Sequence, residues 1–266
     1  MQRSCTLAIA LSLTSAATAH TSLFKPPSRE KIDETFADEN NTVGCPKPGP
    51  GPITSVHAGD WIPVEYFRNN HVGGFIRWSI VPRGMPETKE NFDKNTSFYT
   101  CRESGSDCEP RNGQPYSLYE HVADGVGNFI IKCGDKIRIP DYIDDGDYVL
   151  QFTNFATGHN FNNPGHGIPT YRSCADIKIS GGSSKNSKPK CPSFVGGDRA
   201  TRHEGKSSDQ CVYFHSNDIP SSVYEEKDPS KVATVYKFGK PKEIEDCERR
   251  GSNASAESWS FDQLTS

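Results

Sequence analysis

Along much of this chain, apolar residues come in short alternating runs separated by clusters of Gly, Pro, Asn and Asp. A period of two marks a strand with one face inward and one outward. Residues 61–67 and 75–81 carry such runs, and in the second Ile76, Trp78 and Ile80 fall on one face. Residues 128–132 and 136–139 flank the turn-like Cys133-Gly134-Asp135 and predict two paired strands. Residues 148–155 follow the turn Asp144-Asp145-Gly146-Asp147, and residues 171–179 form the last clear strand. No stretch sustains a 3.6-residue period between caps. Short strands, turn clusters and long loops predict an all-β fold, an immunoglobulin-like or fibronectin-like antiparallel β-sandwich.

Four segments break this pattern. Residues 1–19 read as a secretory signal peptide, with basic Arg3, an apolar run at 7–13 and the cleavage motif Ala17-Thr18-Ala19. Residues 46–52 alternate Pro with Gly and Lys and predict an extended loop. Residues 181–190 have the composition of a flexible linker. Residues 191–266 predict a mostly irregular C-terminal extension, disordered from Gly251 onward. The expected division is therefore signal 1–19, sandwich core 20–180, linker 181–190 and extension 191–266.

Composition narrows the classes of function. Hydrophobic residues are only 33% of 266, with 23 Gly and 19 Pro, as loops and a polar extension require. A formal net charge of −4 argues against a general nucleic-acid binder. The one long apolar run is too short to span a bilayer. No membrane partner is expected, and the chain is expected to be a monomer. Of nine cysteines, cleavage after Ala19 removes Cys5 and leaves an even set suited to disulfides in a secreted protein. The core would hold Cys45, Cys101, Cys108, Cys133 and Cys174, and the extension Cys191, Cys211 and Cys247. If all pair, at least one bond must tether the extension to the core. Sequons at Asn40, Asn95 and Asn253 are compatible with a secreted glycoprotein.

The same cleavage makes His20 the first residue of the mature chain. A terminal histidine offers its α-amino group and its ring Nδ1 as a bidentate unit. A third nitrogen from a second histidine completes a histidine brace, a donor set suited to one copper ion. His71 is a candidate for that second ligand, in a polar turn between strands followed by Gly73-Gly74. His57, in the turn-like Val56-His57-Ala58-Gly59-Asp60, competes with it. Tyr171 opens a strand in which Tyr171, Ser173 and Ala175 share one face and Arg172, Cys174 and Asp176 the other. His121, His203 and His215 lack metal-like spacing and read as surface residues.

Several of these features resemble the lytic polysaccharide monooxygenases. They are the leader ending before His20, the opening His20-Thr21-Ser22-Leu23-Phe24-Lys25-Pro26-Pro27, the segment Asn70-His71-Val72-Gly73-Gly74-Phe75, and Tyr171-x-x-Cys174-Ala175-Asp176-Ile177. The chain is most similar to the oomycete pectin-active group, auxiliary activity family seventeen, over roughly residues 20–180. The resemblance implies copper held by His20, His71 and an axial Tyr171, and it favours His71 over His57. It implies oxidative cleavage of a plant cell-wall polysaccharide, pectin (homogalacturonan), using an external reductant and O2 or H2O2. Fungal cellulose-active families place Gln two residues before the axial Tyr, where this chain has Pro169. His166 and His159 are the candidates for the group that positions oxygen, and Arg68, Arg77 and Lys25 for cations that meet a polyanionic chain. Two other readings share the sequence: a non-catalytic copper carrier, and a metal-free carbohydrate-binding effector. Cellulose or chitin are the other substrates to consider.

Overall fold

A computed structural model describes residues 21–31, 44–68, 74–102, 131–156, 168–196, 210–214 and 236–261. Eleven strands and two helices lie in these segments. In chain order they are β1 (Ser22–Lys25), β2 (Ile53–His57), β3 (Trp61–Arg68), β4 (Gly74–Pro82), α1 (Lys89–Lys94), β5 (Thr96–Cys101), β6 (Ile131–Arg138), β7 (Gly146–Ala156), β8 (Ile168–Ser180), β9 (Ser193–Val195), β10 (Cys211–Phe214), β11 (Tyr236–Gly239) and α2 (Lys242–Phe261). A three-stranded sheet, β1-β3-β6, faces a six-stranded sheet, β2-β8-β7-β4-β5-β9. The β-sandwich expected from the alternating pattern is therefore present. Its outermost strands, β2 and β9, pair parallel with β8 and β5, whereas the other ladders of both sheets are antiparallel.

Alternation explains the core. From the smaller sheet come Leu23, Val64, Tyr66 and Ile137; from the larger come Ile76, Trp78, Leu150, Phe152, Ala175 and Ile177. Each set follows every second residue of its strand. The larger sheet is also covered on its other side. Phe75, Tyr99, Cys101 and Phe155 there pack with Cys211 and with Ile244 of α2. Val81, Val149 and Cys174 pack with Cys45 and Phe92. This second cover is why β4 is buried at every position from Gly74 to Val81.

Three disulfides tie the layers together: Cys45–Cys174, Cys101–Cys211 and Cys191–Cys247. Cys133 is disulfide-bonded as well. The second of these bonds joins β5 to β10, beyond the Gly/Ser-rich run.

Three local expectations change. The segment around Cys133-Gly134-Asp135 is not a turn, because β6 runs unbroken through it, with Gly134 opposite Glu65 of β3. A Cβ on Gly134 would lie 2.7 Å from the Val64 carbonyl oxygen, so the glycine permits close strand approach. Residues 181–190 are fastened rather than free. Gly182 and Ser184 donate backbone N–H groups to the Asp145 and Asp144 carboxylates, both at 2.8 Å, and Asn186 Nδ2 donates to the Asp141 carbonyl at 2.8 Å. The extension carries β9, the β10–β11 hairpin and α2, and α2 continues through Gly251 to Phe261. Its sequence lacks a wide apolar stripe, and Ile244 is its one buried residue of the main hydrophobic type among the described side chains. Among the described residues, no helix is long and apolar enough to cross a membrane.

Candidate metal centre

The two ends of the sandwich differ in what attaches to them. β4 starts, β7 finishes and β8 starts at one end, as the pairings Gly74↔Ala156 and Ala156↔Ile168 require. β3 also finishes there, since Tyr66 Oη reaches the Arg102 carbonyl and Arg102 N–H the Gly74 carbonyl. β1 starts there too, with Ser22 opposite Phe67. Tyr171 is 4% exposed at this end. Its parity with Ala175 and Ile177 turns it toward the space between the sheets.

His20, His71, His159 and His166 lie outside the described residues, as do His121, His203 and His215 and the side chain of Arg68. What is described is where their segments attach. His20 precedes Thr21, which is wholly buried. Residues 69–73, with His71, connect Arg68 to Gly74. Residues 157–167, with His159 and His166, connect Ala156 to Ile168. All three attachments are at the Tyr171 end of the molecule.

β1 is fixed there by both sheets. It pairs with β3, and Phe24 stacks on Phe67 with centroids 4.4 Å apart. Leu23 N–H donates to Ser173 Oγ at 3.2 Å, two residues beyond Tyr171 on β8. Further along, Arg29 N–H donates to the Cys174 carbonyl at 2.8 Å, and Ser28 bridges to Ala175. Tyr66 Oη closes the same end by donating to the Arg102 carbonyl at 2.8 Å.

One residue here escaped the sequence reading. Asn154 stands directly opposite Tyr171 in the β7–β8 ladder and opposite Ile76 in the β4–β7 ladder. It is wholly buried, and among the described residues neither Oδ1 nor Nδ2 finds a hydrogen-bond partner. Such a group costs about 1–3 kcal/mol when left unpaired. The signal was present in the sequence. In Tyr148-x-Leu150-x-Phe152-x-Asn154 the fourth inward position is an amide where the pattern calls for an apolar residue. A β-bulge follows at once, between Asn154 and Phe155, and bulges recur beside functional sites.

His57 does not join this end. It closes β2 opposite Ser180, at the far end of β8. Nine residues of strand separate Ser180 from Tyr171, about 30 Å at about 3.3 Å per residue. Its Nδ1 lies 2.9 Å from the Ala58 carbonyl. The competition between His57 and His71 for a place near Tyr171 thus resolves against His57.

The three cations differ. Arg77 is not a surface group. It is 7% exposed, pairs with Asp93 at 2.6 Å and lies 5.2 Å from the Phe155 ring centroid. Residue parity places it on the outer face of the larger sheet, under the extension, so burial withholds it from a polysaccharide. Lys25 is half-exposed and pairs with Glu65 at 2.8 Å. Arg68 ends β3 at the Tyr171 end.

On the outer face of β8 a separate ionic cluster holds the N-terminal segment down. Arg29 pairs with Asp176 at 2.6 Å and with Glu87 at 2.8 Å, and Arg83 pairs with Asp176 at 2.7 Å. Burial alone would raise the Asp176 carboxyl, but hydrogen bonds from Arg29 and Gly51, with the charges of Arg29 and Arg83, hold it below the usual range.

Copper can be tested against these observations. The donor set expected from the sequence is three neutral nitrogens and a phenol oxygen, which suits copper. The described part of this end holds a buried phenol, Tyr171, where the histidine-bearing segments attach, with Asn154 opposite it. Among the described residues, no group of three or more His, Cys, Asp or Glu side chains could hold a metal ion. Of the expected donors only Tyr171 is among the described residues, and its chemistry as a phenol oxygen is compatible with copper.

No protein family's sequence profile matches the chain, and no curated protein matches it. Solved structures do. The extended catalytic domain of H. jecorina LPMO9A is 21% identical, with 60% of this chain and 62% of that one covered at a TM-score of 0.35. A cellulose-active polysaccharide monooxygenase from M. thermophila is 14% identical, over 61% of this chain and 72% of that one, at 0.35. The lytic polysaccharide monooxygenase AA15 from Thermobia domestica, in its Cu(I) state, is 16% identical, over 61% and 100%, at 0.39. The chain thus spans less than two thirds of the length of the H. jecorina domain.

Proposed function

We propose that this chain is a secreted, copper-dependent lytic polysaccharide monooxygenase that cleaves pectin, as homogalacturonan, by oxidation. One observation carries the reading. Thr21, the two attachments of the His71 segment, and buried Tyr171 all belong to one end of the sandwich. The choice of pectin rests on the sequence resemblance.

In this reading the His20 α-amine, its ring and the His71 ring hold one copper ion, with the Tyr171 phenol as the oxygen donor. When bound, the copper supplies one-electron chemistry with a reductant and O2 or H2O2, directed at a C–H bond beside the glycosidic linkage. The chain's own part is positional. The α-amine has an ordinary pKa near ~8, so it gives up its proton to a metal near neutral pH. The β1–β8 contacts hold the N-terminal residue against the strand that carries Tyr171. The buried Tyr171 ring keeps bulk water from its side of the site. No pair of catalytic carboxylates is needed, unlike in glycoside hydrolysis.

The test is product analysis. Protein beginning at His20, loaded with copper and given a reductant, should release oxidised oligogalacturonides from homogalacturonan. Omitting copper or reductant should abolish them. If copper binds one to one and no polysaccharide yields oxidised products, the copper-carrier reading replaces this one.

A further inference from the structure

The far end of the sandwich, remote from Tyr171, contains a cavity of about 350 Å³. This is near the lower end of the ~300–1,000 Å³ that small-molecule sites occupy. Ile80, Pro140 and Ile143 give it apolar lining, and Tyr142 lines it too. Ser184, Asn186 and Lys188 add polar groups from the fastened 181–190 run, and the Lys188 ammonium lies 5.9 Å from the Tyr142 ring centroid. Both recognition residues of the sequon Asn95-Thr96-Ser97, Asn95 and Ser97, also line this cavity.

We infer that Asn95 is N-glycosylated and that its first N-acetylglucosamine docks in this cavity, against Tyr142 and under the 181–190 run. The inference rests on the secretion reading, since the modification needs entry into the secretory pathway. Three features support it. Asn95 caps the C-terminus of α1 immediately before β5, in a half-buried connection at the molecular surface. Its Nδ2 donates one hydrogen to the Asn91 carbonyl at 2.8 Å, which leaves the second hydrogen for substitution. The cavity lining carries both kinds of group that a pyranose meets, aromatic and aliphatic surface for its C–H groups and amide, hydroxyl and ammonium groups for its ring substituents.

The transfer balances with a lipid-linked oligosaccharide pyrophosphate as donor. Asn95 Nδ2 forms a bond to C1 of the sugar, the C1–O bond to the pyrophosphate breaks, and one Nδ2 proton leaves to a base of the transferase. The docked sugar would pin residues 181–190, the connection between the core and the extension.

The full chain, secreted from a eukaryotic host behind a strong heterologous leader, tests this. Peptide mass mapping after amidase release in ¹⁸O water should show Asn95 occupied in most molecules. Ser97→Thr should keep occupancy, and Asn95→Gln should remove it. Trimming the glycan to one N-acetylglucosamine should leave cleavage by a lysine-specific protease at Lys185, Lys188 and Lys190 at least about threefold slower than in Asn95→Gln, as a bound ligand protects against local opening. Tyr142→Ala should erase that difference while leaving Asn95 occupied. An unoccupied Asn95 in the secreted protein, or equal cleavage of the trimmed and Gln forms, overturns the inference. Retention of a chain that carries only its own residues 1–19 would overturn the secretion reading alone.

Discussion

Asn154 is a buried amide at an inward position where the strand pattern calls for an apolar residue. It has no hydrogen-bond partner among the described residues, and an amide left so weakens a fold by about 1–3 kcal/mol. Asn154→Leu in copper-free protein should therefore raise the free energy of unfolding by about 1 kcal/mol in urea titration. A loss of stability instead would mean that the amide is satisfied and structural. Tyr171→Phe keeps the ring and removes only the proposed oxygen donor. It should leave urea stability within about 1 kcal/mol and change the Cu(II) electron paramagnetic resonance spectrum; an unchanged spectrum would remove Tyr171 from the site. Glu30 carries a third residue-scale expectation. Burial pushes its carboxyl up to about 7, against hydrogen bonds from the Cys174 and Lys47 N–H groups and the charge of Arg29. In the unfolded chain it ionises near ~4.3. The native state therefore holds the proton more tightly, and this contribution to stability is complete below ~4.3 and lost as pH rises through about 7. Glu30→Gln keeps the amide-accepting oxygen and cannot ionise, so its melting temperature should fall less between pH 5 and pH 8 than that of the parent. Parallel pH profiles would contradict this.

At the scale of elements, β6 makes the sharpest test of packing. Gly134→Ala puts a methyl 2.7 Å from the Val64 carbonyl and should destabilise by about 1–3 kcal/mol, read in the same urea titration. A neutral outcome would mean that β3 and β6 separate without cost. This glycine also shows where the sequence misleads. Cys133-Gly134-Asp135 has turn composition, yet the glycine serves the approach of two strands, which only the partner strand reveals. The strands β3, β4, β7 and β8 are legible because the face between the sheets is apolar, while the other face of each mixes in polar residues such as Glu65, Arg77, Thr153 and Arg172, so period two survives. β1 and β9 were not, since four and three residues are too few to show a period. α2 was missed because its polar sequence offers little apolar periodicity and its burial depends on a sheet face formed by other segments. The 181–190 run makes contacts that composition hides for a related reason. The acidic turn at Asp141, Asp144 and Asp145 accepts its hydrogen bonds, and composition does not show that pairing.

For the whole molecule, the sandwich keeps separate jobs on separate surfaces. The larger sheet is covered by the extension, which the Cys101–Cys211 bond fastens to β5. Replacing both cysteines with serine should cost about 2–4 kcal/mol and speed proteolytic removal of the extension. Of the candidate site, the sequence predicts a strand that opens at Tyr171, whereas β8 begins earlier, at Ile168. It did not disclose Asn154, whose meaning depends on lying opposite Tyr171 across a ladder, nor the burial of Arg77, which depends on what covers its sheet. The central claim is that the N-terminal residue itself is a copper ligand. Calorimetric copper titration of protein beginning at His20, beside the same protein with one glycine added ahead of it, tests this most directly. The account predicts one tight site in the first and at least about a tenfold weaker affinity in the second, because the added residue turns the α-amine into an amide. Equal affinity in the two forms would contradict it.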